Sequence, residues 1–179
     1  MYRLSVTATL PLSQHHVFDD IHEFEQYLSK APSVSDVTRL DGGDDTPTYT
    51  IRLTRFGTSG TLTTKIVEYR PPSLITWRAT RPIAGRWTVS DNEDGSSSSQ
   101  IDILIHESEL DKLPFGGGLM RRGLFAILRR AFISELRPIL THMVCEAGED
   151  STAIQLSRVR IDHDYDDEAG MKLLEGMSE

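Results

Sequence analysis

Residues Tyr2 to Leu10 alternate strictly, with Leu4, Val6, Ala8 and Leu10 on one side and Arg3, Ser5, Thr7 and Thr9 on the other. A period of two with one apolar side marks a strand that buries one face and wets the other. Pro11 stops it. In the following SQHHVFDDIHEFEQYLSKAP, the residues Val17, Phe18, Ile21, Phe24, Tyr27 and Leu28 recur at helical spacing. Ser13 stands where an N-cap belongs, His22 marks a break between two short helices, and Pro32 ends the pair.

From Ser33 to about Glu107 the pattern returns to strands, divided by turn residues: DGGDD at 41–45, FGTSG at 56–60, PP at 71–72, RPIAG at 81–85 and DNEDGSSSS at 91–99. Six strands are predicted, over about 33–41, 47–56, 60–70, 74–81, 85–91 and 100–108. Links this short make neighbours in sequence antiparallel. With Tyr2–Leu10 the sheet has seven strands.

After the run PFGGG a long helix is predicted from near Leu119. Phe125, Leu128, Phe132, Leu136, Ile139 and Met143 stay within an arc of about 80° at 100° per residue, with Arg130, Ser134, Arg137 and Thr141 opposite. Pro138 withdraws one backbone donor, which kinks the helix near Ser134 or breaks it in two. The helix fades around Glu146 to Gly148. Beyond it, TAIQLSRVRI alternates with a phase slip: Ile154 and Leu156 come before it, Val159 and Ile161 after it. One more strand, or an ordered arm, is expected there. DHDYDDEAG then reads as solvated acid. The expected division is a ligand-binding domain over 1–147 and an acidic extension over 148–179, with one strand at most and then disorder.

The order β-αα-β6-α is a specific α+β arrangement. A twisted seven-stranded sheet with one apolar face must be covered, and the chain offers one long helix to do it. A helix is about 10–12 Å across and cannot fill the concavity alone. A cavity between helix and sheet follows.

The stretch IVEYRPPSLITWRAT, then GRWTV and a Gly-Ser turn into QIDILIHESE, together with this order of elements over residues 2–147, resembles the START-like (SRPBCC, helix-grip) superfamily and, within it, the polyketide cyclase/dehydrase and lipid-transport group. The resemblance implies an antiparallel sheet curved around a long C-terminal helix. It also implies a small hydrophobic or amphipathic ligand: a lipid, quinone, isoprenoid or aromatic polyketide. Residues 148–179 depart from the pattern, which ends with the helix.

Strand parity nominates the cavity wall. Ile75 and Trp77 share a face, as do Trp87 and Val89, so both tryptophans point inward while Arg78 and Arg86 point out. The indoles line a cavity or simply fill the core. Tyr49, Ile51, Leu53 and Arg55 share one face, Ile66 sides with Leu62 and Glu68, and Ile103, Ile105 and Glu107 side with Ile101. The helix contributes Phe125, Leu128, Phe132 and Leu136, with Arg122 and Arg129 flanking the mouth. Arg55 and Glu107 either orient a ligand or pair with each other near the sheet edge. If the chain is an enzyme, the family suggests cyclisation or dehydration assisted by Glu107, Tyr49 or His106. A rival reading is a protein-binding adaptor of the same fold, chaperone- or ribosome-associated. The GGG at 116–118 is expected to act as a hinge admitting the ligand.

Composition narrows the partners. The net charge is −8, with fifteen arginines and four lysines against fifteen aspartates and twelve glutamates. This balance suits high ionic strength and a salt-loving source. Nucleic acid is disfavoured unless arginines cluster on one face, and those of the long helix, Arg121, Arg122, Arg129, Arg130 and Arg137, lie at scattered angles. No apolar run is long enough for stable membrane insertion, and a cytoplasmic location is expected. Cys145 reads as a small core residue. No cofactor or metal is expected. The acids Asp162, Asp164 and Asp166 begin like a calcium loop, but Asp167 and Leu173 occupy the glycine and glutamate positions, and the histidines lack ligand spacing.

Overall fold

The computed structural model describes residues 1–40, 47–55, 58–111 and 121–163. The chain runs β1 (Tyr2–Leu10), α1 (Gln14–His22), α2 (Phe24–Leu28), β2 (Val34–Leu40), β3 (Thr48–Arg55), β4 (Thr58–Arg70), β5 (Leu74–Ala79), β6 (Ile83–Asp91), β7 (Ser97–Ile105), α3 (Glu107–Asp111), α4 (Arg121–Glu146), a 3-10 turn (Ser151–Ala153), β8 (Gln155–Leu156) and β9 (Arg160–His163). This is the expected helix-grip order, with α3 and two short strands added. The DGGDD turn, the PFGGG hinge and the acidic run from Asp164 onward lie outside the described residues.

Local chemistry sets the boundaries. Ser13 caps α1, its hydroxyl accepting from the N–H of His16 at 3.4 Å. The break between the short helices falls at Glu23, whose ψ of 62° cannot continue a helix. The turn after β6 is tighter than expected: the N–H of Asn92 donates to the carbonyl of Ser96 at 2.8 Å, and Gly95 takes a φ of +82°. β7 therefore starts at Ser97. It stops at Ile105, because its neighbours β1 and β6 begin at Tyr2 and Ile83, both opposite Ile105.

The sheet order is β2-β3-β4-β5-β6-β7-β1, antiparallel throughout, and β8 and β9 both pair with β1. Register aligns the concave face in rows. One row runs Tyr49, Thr64, Ala79; a second runs Ile66, Trp77, Gly85, Ile103, Leu4; a third runs Tyr69, Ile75, Trp87, Ile101, Val6. Both tryptophans face inward as parity demands. Gly85 has a reason to be glycine, since a Cβ there would collide with the indole of Trp77, its cross-strand partner.

A bulge in β4 at Val67 changes one expectation. It shifts the register between Ile66 and Glu68, so Ile66 faces Trp77 but Glu68 faces Thr76. Glu68 does not share a face with Ile66 and Leu62; its carboxylate accepts from Thr76 Oγ1 at 3.2 Å and pairs with Arg70. Tyr69 takes the inward place instead.

The helix α4 is continuous through Pro138. Ser134, whose carbonyl loses its usual donor to the proline, turns its hydroxyl to the carbonyl of Ala131 at 2.9 Å. Cys145 is exposed, contrary to expectation. Nine residues beyond Leu136, it sits about 180° around the helix from that buried residue.

The tail past α4 joins the fold. The phase slip read at 157–158 is where β8 gives way to β9. There the N–H of Thr7 donates to Ser157 Oγ and the N–H of Ser157 to the Thr7 carbonyl, both at 2.9 Å. Val159 is buried in the core, and Ile154, Leu156 and Ile161 pack against it. The edge of β1 is thereby covered.

Candidate functional site

The backbone of α4 comes closest to α2, β1 and the 3-10 turn. At its C-terminal half the gap to the sheet is full. Leu136, Ile139, Leu140, Met143 and Val144 are buried together with Phe18, Ile21, Val6, Leu10 and Val89. The N-terminal half is different. Leu124 is buried there, but Phe125, Leu128 and Phe132 are only partly buried, as are the inward Leu53, Leu62, Trp77, Ile83, Ile103 and Ile105, whose cross-strand neighbours Tyr2, Leu4 and Ile66 are buried. Phe125 reaches Tyr2, the ring centres 5.5 Å apart. Leu53, Trp77 and Phe132 pack against the core cluster, so these side chains form its partly exposed apolar margin.

Polar groups inside the concavity are few. Thr64 Oγ1 and Trp87 Nε1 are buried on the concave face with no hydrogen-bond partner, as are Ser97 Oγ and Ser99 Oγ nearer the filled end. Trp87 packs edge-on against Tyr27 at 5.7 Å. Burial, followed by the neighbouring Tyr49, drives the Tyr27 hydroxyl far above the ordinary phenol range.

The predicted residues divide into three groups. Leu53, Trp77, Ile103, Ile105, Phe125, Leu128 and Phe132 belong to the partly exposed margin. Ile51, Trp87, Val89 and Leu136 belong to the buried core behind it. Tyr49, Ile66 and Ile75 line a separate cavity of about 310 Å³ under the α1–α2 corner, together with Ile21, His22, Phe24, Arg39, Pro47 and Tyr69, and with Val67 and Glu68 at the bulge. Sequence reading missed Arg39, His22 and Tyr69. Arg39 faces inward as the partner of Tyr49, and Tyr69 does so through the bulge, whose only trace in the sequence is the adjacent pair Ile66-Val67 before Tyr69.

The catalytic candidates are not brought together. Glu107 is not on β7, as expected, but opens α3, where its carboxylate lies 3.7 Å from the amino group of Met1. His106 is exposed, and its Nδ1 accepts from the N–H of Ser108 at 3.2 Å, serving the start of α3. Tyr49 stands on β3, with β4, β5 and β6 between it and β7. The side chains of Arg55 and Arg122 lie outside the described residues, so the expected Arg55–Glu107 pair lies outside them too. Arg129 lies partly buried on α4. Among the described residues no cluster of metal-ligating side chains occurs and no helix is long and apolar enough to cross a membrane.

Several solved structures are similar in fold. One is a protein from Thermus thermophilus, 10% identical with a TM-score of 0.64, covering 81% of this chain and 99% of that one. The Zhui aromatase/cyclase from Streptomyces sp. R1128 is 19% identical with a TM-score of 0.61, at 84% and 100% coverage. The di-domain aromatase/cyclase StfQ of the steffimycin biosynthetic pathway is 15% identical with a TM-score of 0.62. There 82% of this chain is covered, and the match spans about half, 52%, of StfQ. At such identities the likeness speaks for the fold. No curated protein matches the chain in sequence. The profile of the family described as polyketide cyclase / dehydrase and lipid transport matches residues 1–148, from the first strand to the end of the long helix. The chain therefore belongs to that family of the START-like, helix-grip superfamily.

Proposed function

We propose that the chain binds a small apolar or amphipathic molecule in the groove between the N-terminal half of α4 and the concave face of the sheet. The observation that carries this is an uneven seal: Trp77, Ile103, Ile105, Phe125, Leu128 and Phe132 are left partly exposed, while Leu136, Ile139, Leu140, Met143 and Val144 further along α4 are buried. Covering such residues with a guest removes apolar area from water at about 25 cal/mol per Å². The unpartnered Thr64 Oγ1 favours a guest with a hydrogen-bonding group over a plain hydrocarbon, because a buried polar atom gains a partner.

Native mass spectrometry before and after organic extraction tests this. A bound mass should appear in the purified chain and leave on extraction, and farnesol added back should change the tryptophan emission. A chain that carries no extractable compound, and whose fluorescence ignores every apolar compound offered, contradicts the proposal.

The likeness to two aromatase/cyclases favours a second reading, in which the groove folds a flexible polyketone chain so that its reacting carbons meet. The hydroxyl of Thr64 is an inward group available to hold one of its carbonyls. Faster cyclisation of a polyketone analogue in the presence of the chain, slowed in Thr64→Val with binding intact, supports it; an unchanged rate in the presence of wild type removes it.

A further inference from the structure

The cavity under the α1–α2 corner is separate from the groove: among the described residues, none of its lining comes from α4. Its floor is apolar, made by Ile21, Pro47, Ile66 and Ile75. Its walls are aromatic. Phe24 and Tyr49 lie 4.7 Å apart at 32°, close to parallel, while Tyr69 contacts His22 at 5.1 Å and Phe18 at 5.3 Å. Two exposed nitrogen-bearing side chains, Arg39 and His22, stand at the rim and also border the adjoining surface hollow beside Glu23 and Glu25.

Four acids lie near: Glu23 and Glu25 border the adjoining hollow, Asp19 lies close enough to act on the Tyr69 hydroxyl, and Glu68 lines the cavity. The carboxylate of Glu68 is held by Thr76 and Arg70, and Glu25 Oε1 accepts the backbone N–H of Arg39 at 2.7 Å. That bond is to the Arg39 backbone and does not engage the guanidinium. Burial, the largest cause in each case, raises the Tyr49 and Tyr69 hydroxyls above their ordinary values, so both remain proton donors at neutral pH.

We propose that this corner is a second binding site, for a small planar aromatic carboxylate. The ring slots against Phe24, Tyr49 and Tyr69, and the carboxylate takes the Arg39 fork at the rim. An aromatic ring finds offset stacking partners there, and a guanidinium matches a carboxylate with two parallel hydrogen bonds. A volume of about 310 Å³ is at the small end of ligand pockets, which suits a bicyclic acid. The site does not depend on the groove: it has its own walls and its own charged group.

Calorimetric titration of the full chain with 2-naphthoate, and with 2-naphthalenemethanol as its uncharged counterpart, tests the assignment. Wild type should bind 2-naphthoate at one equivalent and more weakly as salt is added. Arg39→Gln, at an exposed position that leaves the core untouched, should lose roughly tenfold in 2-naphthoate affinity and little for the alcohol. Isoleucine methyl resonances of Ile21, Ile66 and Ile75 should shift while those of Ile103 and Ile105 stay, and farnesol should not compete. Equal affinity of Arg39→Gln for both compounds, shifts confined to Ile103 and Ile105, or no saturable binding of 2-naphthoate overturns the assignment. None of these results alters the farnesol test of the groove.

Discussion

The two halves of α4 meet the same sheet with opposite results. The C-terminal half, from Leu136 to Val144, is backed by α1 and α2, and those short helices bring Phe18, Ile21 and Phe24 into the space that a single helix leaves. In the N-terminal half, Phe125, Leu128 and Phe132 stay partly exposed, as do Trp77, Ile103 and Ile105 on the sheet. The difference teaches where a helix-grip fold keeps its stability and where it keeps its room. Helical bulk is concentrated at one end, so packing strength and ligand space fall at opposite ends of one interface.

The largest expected effect lies at the filled end. Leu140 is fully buried, and Leu140→Ala should lower the unfolding free energy by about 2–5 kcal/mol in urea titrations, with affinity for an apolar probe unchanged in the folded fraction. Next comes the contact that shapes the groove wall. Gly85→Ala puts a methyl group into the Trp77 ring and should cost about 1–3 kcal/mol, with a shift in Trp emission reporting the displaced indole. At the open end the order reverses. Phe132→Ala opens no sealed void and should cost less than about 2 kcal/mol, yet weaken farnesol binding severalfold. A stability loss at Phe132 equal to that at Leu140 would erase the contrast between the halves.

The smallest effect concerns charge at the filled end. Asp20 on α1 is partly buried, and burial raises its carboxyl above the usual range, with Glu146, Glu23 and Asp19 adding to the rise against His16. The folded value exceeds the unfolded one, so the native state disfavours the ionised form. The penalty is absent below the unfolded value and fully present above the folded one. Asp20→Asn should therefore raise the melting temperature slightly at pH 7 and leave it unchanged at pH 3. An equal gain at both pH values would rule out the charge as its source.

Most of the fold was legible because its signals are periodic. Strict alternation in Tyr2–Leu10 and in the Trp77 and Trp87 strands fixed which side chains face inward, and turn residues fixed the antiparallel order. The failures occur where the period breaks. The bulge at Val67 exchanged Glu68 for Tyr69 on the concave face, and β7 ended at Ile105 because its neighbours ended, which removed Glu107 from the cavity. No local residue pattern announces where a partner strand begins. The corner cavity was missed for a related reason: Arg39 and His22 are 17 residues apart in the chain and meet at one rim through the fold alone. The slip at 157–158 was read correctly, because apolar residues on both sides of it marked the change of phase.

The contrast between the two ends is tested most directly by following isoleucine methyl resonances while farnesol is added. Ile103 and Ile105 should move together toward a saturated position, and Ile139 and Ile101, in the filled half, should stay. Binding of farnesol that shifts Ile139 and Ile101 but neither Ile103 nor Ile105, or no saturable shift anywhere, would contradict a ligand groove at the open end of α4.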